Sequence, residues 1–336
     1  MSRPRCPTPD LTPPAIAGYR IACLLLVCLA GAPLAAAQPS EFQPRLEREP
    51  ITPIPEVPAL DPRRVALGEQ LFQDRRLSRD GARSCSSCHD TRTNGASANA
   101  RDATPQGRPL ALNTPTVFNA ALSFRLNWEG NFRSLERQAE QALGNVSIMA
   151  SSVDEVVAKL QADPAVVRQF RDAYGRGPDH DNLLNAIGTF ERSLITPGSR
   201  FDRWLSGEND AITVEELSGY QLFKSLGCIS CHQGVNMGGN LFQRHGIFHP
   251  LGSPEPEFVR VPSLRNVATT APYFHDGSAA TLPEAVKSMG VAQLDRVLTD
   301  QQISAIVAFL NTLTGTYRGE VVRPVAAAPR AGSVRP

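Results

Sequence analysis

Beyond residue 60 the apolar residues recur every three to four positions and seldom alternate, so the chain reads as helical. Val65, Leu67, Leu71 and Phe72 fall on one helical face that leads toward Cys85. Ser152 and Glu155 make a capping box ahead of Val156, Val157 and Leu160: each side chain satisfies an N–H that the first helical turn leaves open. The same signature returns at Thr213 with Glu216, before a helix running toward Cys228. It returns again at Thr281 with Glu284, before a helix ending near Met289 and Gly290, and at Thr299 with Gln302, before Ile303, Ile306, Val307 and Leu310. Strand signals are sparse, and the pattern predicts an all-α (mainly α) fold.

The aperiodic stretches divide the chain. Residues 38–60 are rich in proline and read as an extended arm rather than a packed element. Residues 90–112 read as a loop, and Gly175 to Pro178 as a break after which His180 opens a helix. Thr196-Pro-Gly-Ser199 reads as a linker and domain boundary, and residues 319–336, rich in Ala, Pro and Arg, as a disordered tail. At the other end, Arg3, Arg5 and Arg20 precede the apolar run from Ile21 to Ala30, and small residues end in Ala35-Ala36-Ala37. That is the form of an export signal (residues 1–37) cleaved after Ala37, with an apolar run too short for a membrane span. Lys and Arg total 34 against 33 Asp and Glu, so no basic surplus points to nucleic acid. No further long apolar stretch points to stable membrane insertion.

Cysteine use decides the chemistry. Of seven cysteines, Cys6, Cys23 and Cys28 lie in the export signal. The other four form two C-x-x-C-H motifs, Cys85-Ser-Ser-Cys88-His89 and Cys228-Ile-Ser-Cys231-His232. In such a motif the two thiols add across the vinyl groups of a haem, and the histidine becomes the proximal ligand of its iron. A thioredoxin-type pair or a zinc site is a poor rival, because each motif carries its own adjacent histidine. Two covalent haem c groups are expected, one in each half: residues 61–197 and residues 198–318. A chain whose remaining cysteines all hold haem suits the periplasm, where free thiols are oxidised.

The residue opposite each proximal histidine decides whether the iron carries electrons or binds a small ligand. For the second haem Met289 is the expected ligand, with Met237 the alternative although it lies only five residues past His232. For the first haem Met149 qualifies by spacing alone, and an open or water-bound site is the preferred reading. His180, His245, His249 and His275 read as structural, His275 as a partner for a propionate or a backbone group.

With these motifs the chain resembles the bacterial di-haem cytochrome c peroxidases and the related MauG proteins over nearly all of residues 60–317. The resemblance rests on the two haem motifs, Leu112-Asn-Thr-Pro115, Trp128-Glu-Gly130, Ser134-Leu-Glu-Arg-Gln138, Phe190-Glu-Arg-Ser193, Val261-Pro-Ser-Leu-Arg-Asn266 and Ala271-Pro-Tyr-Phe-His-Asp-Gly277. It implies two cytochrome c-like domains in tandem: a peroxidatic N-terminal haem and a C-terminal haem that takes electrons from a small cytochrome c or cupredoxin. It implies Met289 as distal ligand, where MauG proteins carry tyrosine, and Trp128 between the haems. It also implies Gln138 over the peroxide site, calcium held by Asn113 with the carbonyls of Thr270 and Pro272, and a homodimer. Two positions depart from the family. Pro105 stands where many members have a dissociable distal histidine, which implies no need for reductive activation. Ile148 stands where the family has a glutamate, so the usual proton shuttle is missing, and Glu140 or a water is its candidate substitute. The expected function is periplasmic reduction of hydrogen peroxide to water. The alternatives are MauG-like long-range oxidation of a partner protein and a non-enzymatic electron carrier.

Overall fold

The computed structural model describes residues 49–325. The expected export signal (1–37), the first part of the arm (38–48) and residues 326–336 of the expected tail lie outside the described residues. The described chain contains α1 (Pro62–Phe72), α2 (Leu135–Gly144), α3 (Val153–Gln161), α4 (Pro164–Tyr174), α5 (His180–Ser193), α6 (Arg200–Leu205), α7 (Val214–Ser225), α8 (Leu282–Leu294) and α9 (Asp300–Asn311). Two small antiparallel ladders complete it: β1 (Phe242–Arg244) with β2 (Phe258–Arg260), and β3 (Thr316–Tyr317) with β4 (Glu320–Val321). All four capping boxes expected from sequence or its spacing are formed, at Ser152, Thr213, Thr281 and Thr299.

Two hydrophobic cores follow one another along the chain, and each is built on a crossing of two helices. In the first, α1 meets α5 so closely that a Cβ on Gly68 would lie 2.0 Å from the Ala186 carbonyl oxygen. In the second, α7 meets α9, and a Cβ on Gly219 would lie 2.0 Å from the Ala305 carbonyl oxygen. Glycine is what lets the backbones touch. Phe72, Ile187 and Phe190 fill the first crossing, while Tyr220, Phe223, Ile306 and Phe309 fill the second, with Phe201 and Trp204 of α6 beside them. The haem-motif turns begin soon after α1 and directly after α7, as short 3-10 turns at Cys85–Ser87 and Cys228–Ser230.

Four features differ from the sequence expectations. The arm is extended but packed: Ile51 is fully buried in the second core, and Thr52 accepts a hydrogen bond from Arg265 (2.8 Å). Burying one such isoleucine favours the fold by about 1.5–3 kcal/mol, which a solvated arm would forgo. The expected tail begins too early, because β3 and β4 form a hairpin and Val322 is buried in the first core. Residues 196–199 are no exposed hinge: the Thr196 hydroxyl is buried between the side-chain amides of Asn119 (2.7 Å) and Asn266 (2.9 Å). Finally, α8 does not stop at Gly290. It runs to Leu294 and is capped by Asp295 in the left-handed region (φ 52°), while Gly290 serves close packing against Leu298.

Candidate functional site

The two haem-motif turns are built alike. Backbone N–H groups of His89 and His232 close the turns on the carbonyls of Cys85 (2.9 Å) and Cys228 (3.1 Å). The His89 Nδ1–H donates to the Gly95 carbonyl (3.1 Å), and the His232 Nδ1–H donates to the Met237 carbonyl (3.2 Å). Fixing Nδ1 as donor leaves Nε2 with the lone pair that a metal needs. Burial pushes His89 below the usual imidazole range and takes His232 down to about 4, so both rings are held neutral, the ligand form. Met237 acts here through its carbonyl, in the left-handed region (φ 48°), and its side chain is core; this removes it as the alternative to Met289. The four cysteines form no disulfide. Burial pushes the Cys85 and Cys88 thiols up to about 12 and the Cys228 thiol to about 11.

Both turns open on one cavity of about 1280 Å³, lined by Cys85, Cys88, His89, Cys228, Cys231 and His232. Its walls are mostly apolar, apart from a few placed polar groups. Arg260 is 8% exposed and donates through Nε to the Asn127 carbonyl (3.0 Å), yet it pairs with no carboxylate among the described residues. Its burial lowers the guanidinium to about 10, so the wall presents a cation without a counter-anion. An apolar cavity with inert adjacent thiols, free imidazole Nε2 atoms and an uncompensated arginine fits haem c, whose propionates would supply the missing negative charge.

The halves are related position by position, and this separates their chemistry. Asn119 and Asn266 adopt the same left-handed conformation, each followed by a 3-10 turn; Asn127 and Phe274 repeat it ahead of Trp128 and His275; Gly130 and Gly277 follow. Ser134 and Thr281 then cap α2 and α8. In this register Gln138 matches Ala285, and Ala142 matches Met289. All four line the cavity. The second half therefore offers a thioether at the helix position where the first half has only a methyl group. Met149 also lines the cavity but is packed into the first core.

Trp128 and His275, matched by this register, meet across the cavity with ring centroids 6.3 Å apart. The Trp128 indole donates to the Asn113 carbonyl (2.8 Å), while His275 Nε2–H donates to the Ser253 carbonyl (2.9 Å). Asn113, Thr270 and Pro272 line the same cavity, although the Asn113 amide donates to the carbonyls of Ala100 (3.0 Å) and Asn99 (3.3 Å). Ile148 lines the cavity as the sequence places it. Pro105 lies in a turn closed by Gly107 onto Thr104 and is not a lining residue. Glu140 is directed away from the cavity: it pairs with Arg137 (2.9 Å) and His180 (3.3 Å), so it is no substitute for the missing carboxylate. Sequence reasoning missed Arg260 and Glu191. Glu191 lines the cavity, and its sequence signals are its place in the Phe190-Glu-Arg-Ser193 motif and a charge on a buried helix face.

The comparisons with known proteins bear on the whole described chain. A family model described as di-haem cytochrome c peroxidase matches residues 62–210, and one described as cytochrome c matches residues 217–314. The chain is 38% identical to cytochrome c551 peroxidase of Nitrosomonas europaea over 80% of this chain and 84% of that protein. It is 36% identical to cytochrome c551 peroxidase of Pseudomonas aeruginosa, covering 74% and 78%, and 32% identical to methylamine utilization protein MauG of Methylorubrum extorquens, covering 84% and 88%. Among solved structures, a MauG-like protein associated with microbial copper homeostasis superposes with a TM-score of 0.67 at 26% identity, covering 83% of this chain and 95% of that one. No helix among the described residues is long and apolar enough to cross a membrane.

Proposed function

The chain belongs to the di-haem cytochrome c peroxidase family, and on that premise we propose that it reduces hydrogen peroxide to water in the periplasm, with electrons from a small cytochrome c or cupredoxin. The observation that carries this reading is the asymmetry of matched positions: Met289 on α8 against Ala142 on α2, both lining the cavity. A methionine closes an iron for electron transfer, and a vacancy leaves it open to a small ligand.

When bound, haem c supplies the redox chemistry, one centre for binding peroxide and one for receiving electrons. The protein's own groups do the rest. His89 and His232, locked by the Gly95 and Met237 carbonyls, hold the proximal sides. Gln138 offers an amide N–H and carbonyl to orient peroxide in a wall otherwise made apolar by Ile148 and Leu143. Trp128, held by Asn113, and His275 form an aromatic bridge between the halves, shortening the path an electron travels. Arg260 supplies buried positive charge beside that bridge, through its bond to the Asn127 carbonyl. Asn113 with the Thr270 and Pro272 carbonyls is the proposed calcium site, a set of hard oxygen donors suited to that ion. An export signal cleaved after Ala37 and a homodimer complete the reading.

The test is peroxide turnover by protein carrying both haems, with pre-reduced cytochrome c as donor, calcium present and no activating reductant. Donor oxidation in proportion to peroxide supports the reading; its absence with every cytochrome and cupredoxin donor overturns it. The second reading, oxidation of a partner protein in the manner of MauG, is favoured by Ile148, which removes the expected proton shuttle. It predicts peroxide-dependent modification of a protein substrate without donor oxidation.

A further inference from the structure

Glu191 has no role in the mechanism above, and its setting is unusual. It is 5% exposed, lines the cavity, and its Oε2 has no hydrogen-bond partner. The other carboxylate among the described lining residues, Glu129, is exposed. The matching crossing in the second half shows what the position ordinarily wants. Gly68 packs on Ala186 and Phe190 as Gly219 packs on Ala305 and Phe309, so Glu191 on α5 corresponds to Leu310 on α9. Leu310 lines the cavity at no polar cost. A carboxyl with an orphan oxygen is costly there, and such a group in a built cavity points to use.

Three groups bear on it. The Cys85 thiol, on the haem-motif turn, is consumed when haem attaches. Glu136, from α2, adds negative charge, and Arg192, on the same helix, is turned away to pair with Glu136 (2.6 Å). Burial, with Glu136 next, pushes the Glu191 carboxyl up to about 8, so it keeps its proton near neutral pH. An added electron nearby would strengthen that hold further.

We propose that Glu191 is a redox-linked proton carrier for the first haem: it holds its proton more tightly when an electron reaches that haem and gives it up when the electron passes to peroxide. The inference rests on the peroxidase reading for its proton demand. Each peroxide takes two electrons and two protons to become two waters, and neither the Gln138 amide nor Ile148 can donate a proton to that balance. Glu191 supplies one as its carboxylic acid becomes carboxylate, and solvent protons restore it.

The test is a redox titration of the first haem against pH in protein carrying both haems, followed in the visible spectrum. Above pH about 8, where the carboxyl has lost its proton before reduction, the unmodified protein is expected to change its reduction equilibrium tenfold per pH unit, about 59 mV for a one-electron couple, and Glu191→Gln is expected to flatten that dependence. A slope retained in Glu191→Gln assigns the proton to a propionate and overturns the proposal. Redox-difference infrared spectra of the unmodified protein need no variant: a carboxylic C=O band that changes as the first haem is reduced supports the proposal, and no such band overturns it. Peroxide turnover is followed in parallel. Turnover with a pH-independent potential in the unmodified protein overturns the role of Glu191 alone. A slope lost in Glu191→Gln, in protein that turns over no peroxide, supports the proton carrier and overturns the peroxidase reading.

Discussion

Replacing Arg265 by methionine tests how the second haem site is held. The guanidinium is buried and makes three long-range bonds: Nη1 to Asp202 Oδ1 on α6 (2.7 Å), Nη2 to the Thr52 carbonyl of the arm (2.8 Å), and Nε to the Val235 carbonyl (2.8 Å). Val235 lies in the loop whose Met237 carbonyl orients His232. Arg265→Met removes these bonds and leaves the Asp202 charge uncompensated, with the Ile54 N–H still on Oδ1 (3.3 Å) and no partner on Oδ2. Stranding one partner of a buried ion pair costs about 3–5 kcal/mol, at least a fifth of an ordinary domain's total stability of roughly 5–15 kcal/mol. Arg265→Met combined with Asp202→Leu removes the stranded charge and is expected to recover part of the loss, because an apolar pair of similar volume is often close to neutral. The assay is denaturant unfolding of protein carrying both haems, compared at unchanged m-value, with the visible spectrum of each haem followed. The spectral change is expected at the second haem only. A loss below about 1 kcal/mol for Arg265→Met, or a double variant as unstable as the sum of its singles, would refute the reasoning.

Four further outcomes are expected. Met289→His lowers the potential of the second haem and slows donor oxidation, since a thioether holds the potential high; an unchanged potential in spectroelectrochemistry removes Met289 as ligand. Ala142→Met gives the first half the thioether of the second, so ferric high-spin signal in electron paramagnetic resonance falls together with peroxide turnover; unaltered signal and turnover count against the matched register. Gly219→Ala drives a Cβ to 2.0 Å from the Ala305 carbonyl oxygen, and since both sides are backbone the cost is at the upper end of overpacking, about 3 kcal/mol, read as a lower unfolding midpoint. Glu191 holds its proton up to about 8 when folded against an ordinary value of 4.5. Its contribution is therefore present below pH about 4.5 and lost as pH rises toward 8, at about 1.4 kcal/mol per pH unit; Glu191→Gln abolishes that slope in unfolding measured across pH.

What was legible in the chain was what local chemistry repeats. The capping boxes at Ser152, Thr213, Thr281 and Thr299 each need only two side chains three residues apart, and all four form. The haem motifs are likewise complete within five residues. Illegible were the features that depend on partners far away in sequence. Ile51 looks like part of a solvated arm until the second core supplies its contacts, and Val322 looks like tail until the first core does. Gly290 carried the sign of a helix end, but the approach of Leu298 gives it another reason to be glycine. Glu140 and Glu191 are alike as letters, and only the packing of α2 and α5 puts one beside His180 and the other in the cavity wall.

On the proposed function, the matched register also explains how one architecture supports two unlike iron sites. The crossing glycines, the proximal histidines with their carbonyl partners and the left-handed turns are common to both halves, so the frame that presents a haem is the same twice. Among the differences at matched lining positions are four single side chains: Gln138 for Ala285, Ala142 for Met289, Trp128 for His275, Glu191 for Leu310. Three of these put a polar or ionisable group on the first half's side or remove the proposed thioether ligand from it, and the fourth pairs two aromatic rings. A frame this rigid resists change in its core, where a methylene is felt. It tolerates exchange at the cavity wall, where the haem itself fills the space. Divergence between the halves is therefore expected at the wall, and there the side chains decide whether a site binds peroxide or relays electrons.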